Sequence, residues 1–107
     1  MLFHLYVMYY SFMTMKQSED HIRAHIFKAL SDESRLAIIR TLYYSGKELS
    51  YGEVGEKCNI VKTTASYHFK TLREAGLTAT RKDSRTKYVR LREDTFQTYL
   101  PGFLETL

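Results

Sequence analysis

At Gly76 the hydrophobic period of this chain changes from helical to alternating, and few folds accommodate that switch in so short a sequence. Upstream, Ala65, Phe69 and Leu72 recur at i, i+4 and i+7, which gathers them on one face of a helix over about 62–75. Lys62, Thr63, Ser66, Tyr67 and Lys70 fall on the opposite, solvent side. Downstream, Leu77, Ala79 and then Tyr88-Val-Arg-Leu91 read as strands joined by a polar turn at Lys82-Asp-Ser-Arg85. An amphipathic helix must therefore be followed directly by a hairpin.

The residues before this switch supply more helices. Ile22, Ile26, Ala29 and Leu30 have helical spacing and predict a helix from about Ser18 to Leu30. Ser31 and Asp32 interrupt it and can cap a second helix carrying Leu36, Ile39, Leu42 and Tyr43, with Gly46 as its stop. Ser50 and Glu53 have capping-box spacing and predict a short helix through Val54 to Cys58, after which the chain turns at Asn59. Asp94 and Gln97 have the same spacing ahead of Phe96, Leu100, Phe103, Leu104 and Leu107, and Pro101 must kink or restart that last segment. With 107 residues, 44% hydrophobic and 26% charged, the chain has room for one modest core and no internal linker. The expected class is mainly α with a small β-hairpin.

Residues 1–15, MLFHLYVMYYSFMTM, stand apart: apolar, aromatic and without charge. They are too short to span a membrane, which takes about 20 apolar residues. No Lys or Arg precedes them and no small-residue cleavage site follows, so they do not read as a secretory signal. The expectation is an N-terminal extension, disordered or not part of the native start: either an arm that packs on a partner or, the favoured reading, a stretch upstream of a true start at Met13 or Met15. Residues 16–107 read as the complete domain.

Charge is unevenly placed. Residues 62–92 hold nine basic side chains against Glu74 and Asp83, whereas residues 16–61 balance seven against seven and the whole chain carries only +4. A positive field confined to one third of the chain favours a polyanion, since neutralising phosphates releases condensed counterions. A short helix, a turn, a longer helix polar on its outer face and a basic hairpin make a winged helix-turn-helix. The major groove of double-stranded DNA admits one α-helix if that helix is braced from behind. Lys62, Thr63, Thr64, Ser66, Tyr67 and Lys70 are the expected contacts on that helix. Arg81, Lys82, Arg85 and Lys87 are those expected on the wing. No Gly-rich phosphate loop, nucleophile–base pair or paired-carboxylate site argues for an enzyme.

Two stretches carry a family resemblance. Phe27-Lys-Ala-Leu-Ser-Asp-Glu-Ser-Arg-Leu-Ala-Ile-Ile-Arg-Thr-Leu42 resembles the opening signature of the ArsR-type (arsenic-repressor) regulators. Ser66-Tyr-His-Phe-Lys-Thr-Leu-Arg-Glu-Ala-Gly-Leu77 is similar to that family's recognition-helix signature, and the wing ending in Lys87-Tyr-Val-Arg-Leu91 fits as well. The likeness covers roughly residues 20–107. It implies a cytoplasmic homodimer that represses transcription at a palindromic operator, with the first and last helices at the dimer interface. Ile22, Ile26, Phe96, Leu100, Phe103 and Leu104 are the residues expected there. The departures also count. Leu49-Ser-Tyr-Gly-Glu-Val54 lacks the cysteine pair of metal-sensing members, and no His follows His68. No metal or other cofactor is therefore expected, and no inducer is legible. Val61 stands where the family commonly places a capping Ser or Thr.

Single residues have plain and sharp readings. His21 and His25 have i, i+4 spacing that suits zinc, but two histidines make a poor site, and a solvated or interface role is the expectation. His68 lies beside the apolar face and is expected to be structural, whereas Tyr67 points outward. The lone Cys58 has no disulfide partner and is expected to be a small buried side chain rather than a redox switch. The other function class open to such a fold is a protein-interaction module.

Overall fold

Asp32 separates the first two helices by giving its side chain to the second. Its carboxylate accepts the backbone N–H of Arg35 at 3.0 Å, so α2 (Glu33–Ser45) starts immediately after α1 (Leu2–Leu30). Gly46 ends α2 at φ 66°, a left-handed conformation that glycine adopts without a Cβ clash. Ser50 and Glu53 form the anticipated reciprocal capping box on α3 (Tyr51–Lys57). Then come α4 (Lys62–Glu74), the hairpin β2 (Thr78–Asp83) and β3 (Thr86–Leu91), and α5 (Glu93–Tyr99). The computed structural model describes residues 1–107, and the order of elements is that of a winged helix-turn-helix.

The sheet has one strand more than the sequence suggested. Leu49–Ser50, here β1, pairs antiparallel with β3, so the order is β1-β3-β2 with Leu49 opposite Val89 and Ser50 opposite Tyr88. Two residues carry no readable period, which is why only the hairpin was visible. The hairpin turn is also tighter than expected: Asp83 pairs with Thr86, leaving Ser84-Arg85 as the loop, with Ser84 at φ 57°.

Ile26, Ile38, Ile39, Leu42, Val54, Phe69, Leu72, Leu77, Val89 and Phe96 are almost wholly withdrawn from water and hold the helices against the sheet. Each such side chain contributes roughly 1.5–3 kcal/mol through burial. Three of the residues expected at a dimer interface belong to this core. Ile26, Phe96 and Leu104 are 1%, 1% and 3% exposed within the single chain. Their large apolar side chains fill the protomer's own interior and have no surface left to offer a partner. Ile22 is 40% exposed, and Leu100 and Phe103 are half-buried.

Both ends differ from expectation. α1 does not begin near Ser18; it runs unbroken from Leu2, so residues 2–15 are helix rather than a disordered tail. Extending an existing helix avoids the nucleation cost, and no Gly or Pro interrupts the run. The outer 14 residues project roughly 20 Å at 1.5 Å per residue, consistent with a 61 Å long axis against 27 and 21 Å. Only Ile26, Ala29 and Leu30 of α1 are buried. At the other end, Arg92 occupies the cap position of α5, and its side chain caps no backbone N–H. Asp94 sits inside the first turn and pairs with Arg92 at 3.0 Å. Pro101 ends the segment as expected: the chain leaves α5 at Leu100, turns through Gly102 at φ 86° and resumes as a 3₁₀ turn at Leu104–Thr106.

Candidate nucleic-acid interface

The link between α3 and α4 depends on two residues. Asn59 takes φ 55°, and Gly55 is buried with its missing Cβ only 3.4 Å from the Ile60 carbonyl. The Ile60 N–H bonds the Gly55 carbonyl at 2.8 Å and the Cys58 N–H bonds that of Val54 at 2.9 Å. This close approach folds the chain sharply, so that α4 leaves α3 at a fixed angle. Cys58 is half-buried, its Sγ 3.4 Å from the Thr41 hydroxyl.

Behind α4, Ala65, Phe69 and Leu72 are buried as the spacing predicted. Phe69 stacks on Tyr51 of α3 at 4.1 Å, and the Tyr51 hydroxyl lies 2.8 Å from that of Thr80 on the wing. Tyr51 thus joins both HTH helices to the hairpin. Sequence reading missed it because each of these contacts is long-range. His68 is buried as well, and its Nδ1 is 3.1 Å from Nη1 of Arg35, whose Nε donates to the Ala29 carbonyl at 2.6 Å. A bridge of this kind fixes α4 to the α1–α2 corner and gives His68 the structural role expected.

In front, Lys62, Thr63, Thr64, Ser66, Tyr67 and Lys70 are all exposed. Ser66 Oγ donates back to the Lys62 carbonyl at 3.2 Å, and Lys70 is loosely paired with Glu74 at 4.0 Å. Nothing caps the start of α4: Val61 is 68% exposed and offers no acceptor. The first N–H groups of α4 are left to solvent or to a phosphate oxygen.

The wing stands beside this face. Lys82, Arg85 and Lys87 are exposed and none has a carboxylate within ion-pair distance. Between the wing, α3 and the start of α4 runs a groove of about 660 Å³ lined by Lys62, Ser66, Lys82, Arg85 and Lys87, with Glu56 its one acid. Four of the expected cations therefore meet along one channel. Arg81 is not among them. Its guanidinium holds Glu48 through Nε at 2.8 and 3.0 Å and through Nη2 at 2.7 Å. That bonding raises the Arg81 pKa still further and engages its Nε and Nη2 edge. Glu48 had no sequence signal, since its partner lies 33 residues away.

His21 and His25 lie exposed on α1, and no third His, Cys, Asp or Glu gathers with them into a metal-sized cluster. Asp20 beside them is engaged with Arg23 at 3.4 Å. No helix is long and apolar enough to cross a membrane.

Residues 30–81 match the helix-turn-helix domain family model. Over 100 residues, 94% of this chain and all of the relative, the chain is 94% identical to YceK of Bacillus subtilis (strain 168), an uncharacterized HTH-type transcriptional regulator. Among solved structures it resembles the transcriptional repressor BigR of Xylella fastidiosa at 26% identity and a TM-score of 0.64, covering 82% of this chain and 95% of that one. It also resembles the homodimeric winged helix-turn-helix DNA-binding domain Mb0332 of Mycobacterium bovis, a possible ArsR-family regulator. There the identity is 24% and the TM-score 0.71, over 85% of this chain and 83% of that one. The chain belongs to the helix-turn-helix transcriptional regulators, with the winged fold of their ArsR type.

Proposed function

We propose that this regulator is a dimeric repressor that reads a palindromic operator with α4 while the wing cations grip the flanking phosphates. The supporting observation is the single face on which six polar α4 residues stand exposed beside a groove lined by Lys62, Lys82, Arg85 and Lys87. Repression is the activity named for BigR, and a homodimer is the assembly named for Mb0332. The apolar stripe of α1 beyond its buried end, where Ile22 is 40% exposed, together with the half-buried Leu100 and Phe103, is the apolar surface for a second copy. Such a dimer works in the cytoplasm, beside the chromosome.

Gel-shift titration across a randomised operator library tests the reading. Thr64→Ala and Tyr67→Ala change base preference by about 1–3 kcal/mol where those side chains meet base edges. Arg85→Ala weakens every sequence alike. Equal, weak binding to all sequences by the unaltered protein would remove the sequence-specific role.

A further inference from the structure

Arg81 stands at the place where the wing stops being a sheet and becomes a free hairpin. Tyr88 of β3 is paired on one side with Ser50 of β1 and on the other with Arg81 of β2. Beyond that register, Lys82 opposite Lys87 and Asp83 opposite Thr86 have no third strand. β1 and β2 are the two edges of the sheet and do not touch through their backbones. Arg81 bridges them. Its guanidinium crosses the middle strand 4.4 Å above the Tyr88 ring and ends on Glu48, the residue before β1. Asp83 lies 4.0 Å from Nη1, the one further charge on this guanidinium.

We infer that Arg81 is a positioning residue: clamped to Glu48 across Tyr88, it sets the angle at which the cationic hairpin tip leaves the sheet. This rests on the DNA-binding reading of the wing. The opposite face of the hairpin root is held by the Tyr51–Thr80 hydroxyl contact, so the two faces are restrained by separate devices. β1 contributes only two residues to the sheet. Without the clamp, the hairpin hinges on a short ladder, and Lys82, Arg85 and Lys87 lose their fixed spacing from Lys62. A planar fork that meets one carboxylate through several N–H groups fixes direction as well as distance, which a lysine in its place would not do.

The test is binding of the full-length protein to its selected operator over a range of salt concentrations. Arg85→Ala removes a phosphate contact and lowers the steepness of log K against log salt by about 0.9. Arg81→Ala reduces affinity roughly fivefold, in proportion to a modest surface clamp, and leaves that steepness unchanged. Glu48→Gln also weakens binding, although it removes an anion from a protein that binds a polyanion. The exchanged pair Arg81→Glu with Glu48→Arg recovers most of the lost affinity, because the clamp is restored with its charges reversed. The proposal is overturned if Arg81→Ala lowers the salt dependence as Arg85→Ala does, if Glu48→Gln tightens binding, or if Arg81→Ala has no effect. A shallow salt dependence in the unaltered protein would instead overturn the DNA-binding reading itself, so the two failures are separable.

Discussion

Replacing Val61 by Ser stabilises the protein by supplying the cap that α4 lacks, and the same molecule contains the template for the estimate of its size. Ser50 caps α3 at φ −72° and ψ 156°, with its Oγ accepting the N–H of Glu53, three residues on, at 3.1 Å. Val61 already has nearly the same backbone, φ −67° and ψ 148°. A serine hydroxyl there reaches the Thr64 N–H without any change in the main chain. Little is lost in exchange, because the valine is 68% exposed and its burial contributes little. The gain is about 1 kcal/mol, the usual worth of such a cap, and shifts the thermal midpoint upward by roughly 4 °C for a domain of this size. Urea unfolding followed by circular dichroism measures it as a higher midpoint with unchanged steepness. Val61→Asp stabilises the free protein similarly through the helix dipole, but places an anion where phosphate is expected and weakens operator binding. A Val61→Ser protein no more stable than the original would show that the α4 N–H groups already have partners, and the argument about its open N-terminus would fail.

Two further outcomes follow from the geometry. Asp32 is held below its ordinary carboxylate value of 3.8, first by the Arg35 backbone N–H and then by the nearby His68 and Arg35 charges. Its contribution is therefore complete above pH 3.8 and disappears as pH falls through the lower folded value. Asp32→Asn, which keeps an acceptor at the cap, flattens the acid limb of stability against pH; an unchanged limb would assign the acid sensitivity to Glu19, Glu53 and Asp94, which are lowered as well. Leu72→Ala empties the centre of the surface behind α4 and costs about 3 kcal/mol; urea midpoints give the value, and a loss under 1 kcal/mol would mean that the core closes over the gap.

What the sequence disclosed was what short-range rules govern. The caps at Asp32 and Ser50, the stop at Gly46, and the two faces of α4 depend on spacings of three or four residues, and each appears where those spacings put it. Contacts made across the fold left no such trace. β1 is too short to show alternation, Tyr51 reaches Thr80 over 29 residues, and Glu48 reaches Arg81 over 33. Arg81 was grouped with the other wing cations because charge alone does not reveal which cation already has a partner. Ile26, Phe96 and Leu104, expected at a dimer interface, are buried within the single chain for a related reason: periodicity identifies an apolar face without telling whether the chain or a second copy covers it.

The unbroken length of α1 has a mechanical consequence. Its inner end, at Ile26, Ala29 and Leu30, is embedded in the core, and Arg35 ties the Ala29 carbonyl to the His68 ring on α4. Its outer end stands clear of everything else. The molecule thus carries a long arm whose embedded end is joined, through Arg35, to α4. Tyr6 and Tyr10, their ring centres 5.3 Å apart, are held out in solvent far from that joint.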